Sequence, residues 1–314
     1  MMRALLSLLG LLLTTAAAHA TVYYVTPTGT GTGTSWQDAT ADLNAALFGC
    51  EPGDEVWVAT GRYRTTEDGD RTVSFAIPAG VRLYGGFAGH ETQRDQRQPD
   101  LHPTVLTGEI GQPGVQDNAY TVVYIQDGGS DTTLDGFVVS DGCANGMGNP
   151  GEPQRCGGGL FNDGSHGQES NPTVRNCRFV NNRARDGGAL YNHADGGHAS
   201  PVLTDCRFEG NHADLDGGAI FNDGRRNGTS SPRLTNCQLV SNDANYGGGM
   251  VNYGDRGTSN PTLVDCELSG NRAGVRGGAV FNMGTNGTAQ PTLTACVIRD
   301  NQAQTGAGVY TMDN

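Results

Sequence analysis

The stretch GGAIFNDG, at residues 217–224, joins a glycine pair, two apolar residues and an asparagine in an order that the chain repeats. The other copies are GGLFNDG at residues 158–164, GGALYN at 187–192, GGGMVN at 247–252 and GGAVFN at 277–282. A motif that recurs at a fixed spacing is typical of a structural repeat rather than of one active site.

The segments between these copies repeat as well. Apolar and polar residues alternate in runs of a few residues, which predicts short strands, and no segment carries a sustained helical stripe. Strands that recur about every 30 residues predict a chain that coils on itself, with each coil stacked on the last. A cysteine marks each repeat, at Cys177, Cys206, Cys237, Cys266 and Cys296.

Stacking in register places like residues above one another, about 4.8 Å apart. The cysteines then form a buried column of reduced thiols. A second column contains asparagines, which we expect to adopt the left-handed conformation at a turn and to hydrogen-bond their stacked neighbours. These asparagines are Asn182, Asn211, Asn242, Asn271 and Asn301. The glycine pairs allow a sharp corner where a Cβ would clash.

The domain organisation follows from these repeats. Residues 21–314 are predicted to form one parallel β-helix domain, with irregular coils over 21–160 and regular coils of about 30 residues over 161–314. In the irregular part, Ser35 to Asp38 fits a capping box before ADLNAALF, a short helix that would cover the first coil. The predicted fold class is all-β, a β-helix with a short N-terminal capping helix.

The first 20 residues have the pattern of a secretory signal peptide. Arg3 precedes an apolar run over residues 4–13, and Ala18-His19-Ala20 gives a small-residue end, so cleavage is expected after Ala20. No later run is long and apolar enough for a transmembrane helix. The protein is therefore expected outside the cell or on the outer-membrane surface, with the periplasm as the alternative.

Charge and cysteine usage restrict the partners and the disulfides. The net charge of −13 argues against a nucleic-acid partner, and the chain contains no lysine. Cys143 and Cys156 flank a Gly/Pro-rich segment, and we expect them to form a loop-closing disulfide. Cys50 has no obvious partner.

The tandem motifs resemble those of a known family. Phe-x-x-Asn, as in FVNN and FEGN, alternates with GGA plus an aliphatic residue, and this resembles the repeat of chlamydial-type polymorphic outer-membrane proteins. The earlier stretch VRLYGGFAGHETQRDQRQPDLHPTVLTGEI is similar to the N-terminal part of secreted, pectin-lyase-like proteins. The resemblance implies a right-handed parallel β-helix, and its members include adhesins and passenger domains.

Residues for polysaccharide cleavage are sparse. The pectate-lyase and hydrolase chemistries implied by the fold use clustered aspartates, a basic residue or a Gly-His-Gly motif, and neither Gly-His-Gly nor lysine is present. Asp205 and Asp265 form the best carboxylate pair, two coils and roughly 10 Å apart, near the upper limit for an inverting pair. Solvated aspartates at strand ends are the alternative interpretation.

The Asn-Asp-Gly aspartates Asp163 and Asp223 are candidates for calcium ligation, although turn chemistry alone accounts for the motif. No cofactor is predicted apart from this calcium alternative. Tyr191, Phe221, Val251, Phe281 and Tyr310 should point outward as a column, either exposed to a ligand or covered by loops.

Three functions fit these observations. The favoured hypothesis is non-catalytic adhesion, or binding of a polysaccharide or cell-surface ligand, through the variable loops that flank one side of the coil. The alternatives are a polysaccharide lyase or glycoside hydrolase, and a structural surface component that self-associates end to end.

Overall fold

The computed structural model describes residues 20–112 and 114–312, and over these residues the chain is a parallel β-helix. Strands are three to six residues long apart from one of two residues, and each pairs in parallel with the equivalent strand one coil earlier or later. The signal peptide predicted at residues 1–20 lies, except for Ala20, outside the described residues. The predicted fold class is confirmed.

Four parallel sheets run along the axis of the coil. Sheet A contains Val22–Val25, Glu55–Ala59, Arg82–Phe87, Thr133–Asp135, Thr173–Arg175, Val202–Thr204, Arg233–Thr235, Thr262–Val264 and Thr292–Thr294. Sheet B contains Gly61–Arg64, Thr104–Thr107, Phe137–Ser140, Arg178–Val180, Arg207–Glu209, Gln238–Val240, Glu267–Ser269 and Val297–Arg299. Sheet C contains Phe75–Ile77, Val123–Gln126, Leu160–Asp163, Leu190–His193, Ile220–Asp223, Met250–Tyr253, Val280–Met283 and Val309–Met312. Sheet D contains Cys143–Ala144, Arg183–Asp186, His212–Asp216, Asp243–Tyr246 and Arg272–Arg276.

Helical structure is confined to the N-terminal part of the described chain. The α-helix Leu43–Phe48 packs Leu43, Ala46 and Leu47 against the first coils, as predicted for a cap. The predicted capping box is different in detail. Ser35 caps the 3₁₀ helix Trp36–Asp38, whereas Asp42 caps the α-helix by accepting from the Ala45 amide. A second 3₁₀ helix spans Arg94–Gln96.

One apolar core fills the coil from Val25 to Val280. Cysteines form an interior column of free thiols, each donating through Sγ to backbone carbonyls, as predicted from their spacing. Burial raises the pKa of Cys177 to about 12, so this thiol stays protonated and unreactive at neutral pH.

The predicted asparagine ladder is present and buried. Asn211 Nδ2 donates to Asn242 Oδ1 at 3.0 Å, and Asn182 Nδ2 donates to Asn211 Oδ1 at 3.1 Å. A second ladder joins Asn162, Asn192, Asn222, Asn252 and Asn282. The predicted position of the left-handed conformation was one residue too late. Asn181 makes the turn, with φ of 57°, rather than Asn182.

The glycine pair forms the corner between sheets D and C. Gly217 has φ of 68°, and a Cβ at Gly218 would lie 2.3 Å from the Gly248 carbonyl oxygen of the next coil. Only glycine satisfies both requirements, so each copy of the opening motif is a tight corner followed by a strand of sheet C.

The disulfide predicted between Cys143 and Cys156 is not formed, since both are free, buried thiols. Cys143 pairs with Arg183 and Cys156 bridges to Asp186, at opposite ends of the same neighbouring strand. Three residues of strand separate these positions by about 10 Å, beyond the Cα distance that a disulfide spans.

The two ends of the described coil differ. The last coil exposes Val309, which continues an apolar column that is buried earlier in the chain, and it also exposes Val297 and Met312. Among the described residues, no helix has the length and apolar character needed to cross a membrane.

Candidate functional site

An aromatic column lies on the outward face of sheet C, as the alternation of residues predicted. Phe161, Tyr191, Phe221, Val251 and Phe281 form a buried cluster separate from the core of the coil. The rings of Tyr191 and Phe221 stack with centroids 5.1 Å apart, and those of Phe161 and Tyr191 with centroids 5.4 Å apart. Side chains beside the column, including Tyr246, Tyr253 and Met283, cover it in part.

A groove of about 440 Å³ opens above this column, and we call it the aromatic groove. It lies at the glycine corner, so residues of sheets D and C face each other across it. Its volume is within the range of sites for small ligands, about 300–1,000 Å³. Its lining includes Arg185, Asp186, Asp216, Tyr246 and Arg276 from sheet D, Phe221, Val251, Phe281, Tyr253 and Met283 from sheet C, and Arg225 from the loop after Ile220–Asp223.

Two carboxyl groups lie side by side in one wall of the groove. Asp186 and Asp216 are register partners on adjacent strands of sheet D, about 4.8 Å apart at the backbone. Tyr246 and then Arg276 continue the same column. The chain places Asp186 and Asp216 there because each immediately precedes the glycine pair of its coil.

The contacts of Asp186 are incomplete. Its Oδ2 accepts a hydrogen bond from Arg185 and contacts the Cys156 thiol at 3.9 Å. The residue is only 5% exposed, and its buried Oδ1 has no hydrogen-bond partner within the described chain. An unpaired buried acceptor costs free energy, so it marks a position where a donor would be stabilised.

Both carboxyl groups hold protons more tightly than an ordinary aspartate. Burial raises the pKa of Asp186 to about 6, against the opposing charge of Arg185. Burial and the neighbouring charge of Asp186 raise the pKa of Asp216 to about 7. Near neutral pH the pair therefore changes its protonation state, as like charges in a shared site do.

A charged cluster closes the loop side of the groove. The Asp223 carboxylate is fully buried and accepts two hydrogen bonds from Arg225, both at 2.6 Å, and one from the Tyr191 hydroxyl at 2.6 Å. The Arg225 guanidinium also lies over the Tyr253 ring, 5.0 Å from its centroid. The donors of Arg225 are therefore largely used within the protein.

The aspartates considered for calcium are held by protein donors. Asp163 accepts from Tyr124, His193 and Ser165, and Asp223 from the Arg225 cluster. Burial opposes ionisation of Asp163, but the hydrogen bond and charge of His193 lower its pKa to about 2. In the register of sheet C, His193 lies between Asp163 and Asp223, so the two carboxylates do not share a site.

The structure places Asp205 and Asp265 at turns between sheets A and B. Both adopt the left-handed conformation, with φ of 54° and 53°, in the position held by Asn236 one coil away from each. Asn236 Nδ2 donates to Asp205 Oδ1 at 2.6 Å and separates the two carboxyl groups. Asp205 also lines a shallow groove of about 550 Å³ with Arg178 and Arg207, whose guanidinium groups are paired with Glu209.

Sequence reasoning did not identify Asp186 and Asp216. A signal for them is present, because the residue before the glycine corner varies while the corner itself repeats. This position holds Asp186, Asp216, Tyr246, Arg276 and Thr305 in successive coils. A variable residue at a constant corner indicates that the side chain serves something other than the stack.

The structure resembles one determined for an enzyme. A structure titled "Crystal structure of pectate lyase Pel9A" aligns with a TM-score of 0.53 and 14% identity, covering 95% of this chain and 80% of that chain. At this identity the similarity concerns the fold alone. Among curated proteins, none has significant sequence similarity to this chain.

A family profile matches within the regular coils. The Chlamydia polymorphic membrane protein (Chlamydia_PMP) repeat matches residues 205–223, the part of one coil that includes the cysteine, the asparagine and the glycine corner. The copies on either side carry the same elements in register. The chain is therefore a parallel β-helix whose fold is similar to that of the pectate lyase structure, and residues 205–223 resemble the polymorphic membrane protein repeat.

Proposed function

We propose that this protein is an exported, surface-associated β-helix protein that binds a glycan through the aromatic groove. The observation that carries the proposal is the groove itself, where aromatic side chains and two incompletely paired carboxyl groups converge in a concave corner. Concave sites with an apolar lining and a few placed polar groups are typical of ligand binding.

The surface location is proposed from the resemblance of one coil to a repeat of a polymorphic membrane protein. Adhesion is consistent with a stiff scaffold whose loops stack in register beside the groove. Bridges connect His198, Thr229, Thr258 and Thr288 of successive loops. The groove lies next to this loop flank, with Arg225, Tyr253 and Met283 at the boundary.

Glycoside hydrolysis is the second candidate, and the carboxyl pair favours it. Adjacent coils separate the backbones of Asp186 and Asp216 by about 4.8 Å, close to the carboxyl spacing of about 5–5.5 Å in retaining enzymes. However, the ion pair with Arg185 stabilises the charge of the Asp186 carboxylate, which weakens this group as a nucleophile. Binding therefore fits the geometry better than cleavage.

The test is binding of the protein to an array of immobilised neutral, acidic and basic glycans, with soluble products assayed for new reducing ends. Tyr253→Ala, which removes a partly buried ring from the groove, should weaken binding about tenfold. Phe48→Ala is the matched control, because Phe48 is 94% exposed on the distant capping helix.

Equal loss of binding in both variants, or no binding to any glycan, would refute the proposed function. If the wild-type protein produces new reducing ends and Asp216→Asn does not, hydrolysis would replace binding as the proposed function.

A further inference from the structure

The aromatic groove contains acceptors that no protein donor satisfies. Oδ1 of Asp186 is buried without a partner, and the partly buried carboxyl group of Asp216 makes no hydrogen bond or ion pair within residues 20–112 and 114–312. The two groups are neighbours in sheet register and line the same groove. Together they offer adjacent acceptor oxygens to a ligand that supplies adjacent donors.

The cationic side chains around the pair do not fill this role. Arg185 binds the other oxygen of Asp186, and Arg225 is bound by Asp223. Arg276 lies over the Tyr310 ring, 5.1 Å from its centroid. Three guanidinium groups near the carboxyl pair oppose a cationic ligand, and the pair itself opposes an anionic ligand.

An uncharged ligand with neighbouring hydroxyl groups satisfies both constraints. Its hydroxyl groups donate to the unpaired oxygens, and its C–H faces pack on the exposed parts of Phe281, Tyr246 and Tyr253. Sugars that carry vicinal hydroxyl groups and no charge have this chemistry.

We propose that the aromatic groove binds a neutral saccharide whose vicinal hydroxyl groups donate to Asp186 and Asp216, and that acidification releases it. This inference rests on the proposed function, since it names the ligand class and the regulation of the same groove.

The pH dependence follows from the protonation of the pair. When a proton is shared, one carboxyl group donates to the other, and Oδ1 of Asp186 gains a partner inside the protein. The saccharide hydroxyl groups then lose an acceptor. The raised pKa values of Asp186, about 6, and Asp216, about 7, place this change just below neutral pH. The other groups facing the pair are Arg185, Arg225, Asp223 and Cys156, with Arg276 further along the groove.

The experiment is isothermal titration of the protein with cellohexaose, xylohexaose and maltohexaose as neutral probes, with hexagalacturonate as the acidic probe and an N,N,N-trimethylated chitosan hexamer, which is cationic at every pH, as the basic probe. Each titration is made at about pH 8 and about pH 5. We expect at least one neutral probe to bind, with a Kd about tenfold or more weaker at the lower pH.

Asp216→Asn is the informative variant, because it keeps the shape of the side chain and removes the titrating group. It should lose both the tight binding and its pH dependence. Asp214→Asn is the matched control, since Asp214 is on the same strand but exposed and paired with His212, away from the groove. Thermal unfolding of both variants confirms that they are folded.

The outcomes separate this inference from the proposed function. Binding of only the acidic or only the basic probe overturns the inference and leaves a glycan-binding groove in place. Neutral binding that does not change with pH, or that is unaffected by Asp216→Asn in a folded protein, also overturns the inference. Binding of no probe by the folded wild-type protein overturns the inference, and with no binding to the immobilised glycans it removes the proposed function as well.

Discussion

At the scale of single residues, the Asp186–Asp216 pair has a cost in stability that changes with pH. The pKa of each group in the folded protein is above the unfolded value of about 3.9. Folding therefore favours the protonated forms, and the stability present in acid is lost as pH rises from about 4 to about 7. The pair is kept in an environment that is unfavourable for stability at neutral pH, which is typical of functional groups.

Removing one charge should remove much of this dependence. We predict that the free energy of unfolding of the wild-type protein falls by about 4 kcal/mol between about pH 5 and about pH 8. In Asp186→Asn the decrease should be reduced by half or more. Denaturant titrations at several pH values measure this difference, and parallel curves for the two proteins would contradict the assignment.

Asp163 provides a contrast at lower pH. Its pKa is lowered to about 2, so its contribution to stability is present above about pH 4 and is lost as pH falls through that lower value. This range does not overlap the titration of the Asp186–Asp216 pair. The two effects can therefore be measured separately in one protein.

At this scale, sequence reasoning identified the residues of the stack better than those of the groove. Asp205 and Asp265 occupy equivalent positions, which made them visible in the repeat, but an asparagine lies between them. Asp186 and Asp216 have ordinary neighbours in sequence, and each is affected by charged groups of another coil: Asp223 and Arg225 act on Asp186, and Asp186 acts on Asp216. Burial and charge proximity between coils are not encoded in the spacing of one repeat.

At the scale of repeated elements, the asparagine ladders hold the corners of successive coils together. Asn211 Nδ2 donates to Asn242 Oδ1 and to the Phe179 carbonyl, while its Oδ1 accepts from the amide and side chain of Asn182. Every polar atom of this buried side chain is used. Its loss would leave partners in two neighbouring coils without hydrogen bonds.

Asn211→Ala should therefore destabilise the protein by about 3 kcal/mol, more than one hydrogen bond is worth, because buried partners are left unpaired. The control is Asn301→Ala, at the partly buried end of the same ladder, with an expected loss of about 1 kcal/mol. Chemical denaturation measures both values. Equal effects of the two substitutions would show that the ladder does not act as a continuous element.

The repeated structural elements were easier to predict from the sequence than the groove. The period of about 30 residues, the cysteine column and the ladder positions were predicted, because in-register stacking repeats them in the sequence. The left-handed turn was predicted at Asn182, whereas the structure places it one residue earlier, at Asn181. The prediction of a disulfide was wrong because Cys143 and Cys156, although close in sequence, pair through their backbones with opposite ends of one neighbouring strand.

At the scale of the whole molecule, the fold provides a long scaffold on which a few variable positions can be placed at fixed spacing. One core and three sheets extend through most of the described coil, sheet D joins them from Cys143 to Arg276, and the capping helix covers one end. The glycine corner makes a concave strip between sheets C and D along this scaffold. The aromatic groove is the part of that strip where the variable residues are acidic, aromatic and basic in turn.

The central claim is that this corner binds an uncharged saccharide, and a crystal structure of the protein grown with the neutral hexasaccharides at about pH 8 tests it most directly. The account predicts a sugar in the aromatic groove, with hydroxyl oxygens within about 3 Å of Asp186 Oδ1 and of the Asp216 carboxyl group. A saccharide bound on another face, such as the groove beside Asp205, or an empty aromatic groove at saturating concentration, would contradict it.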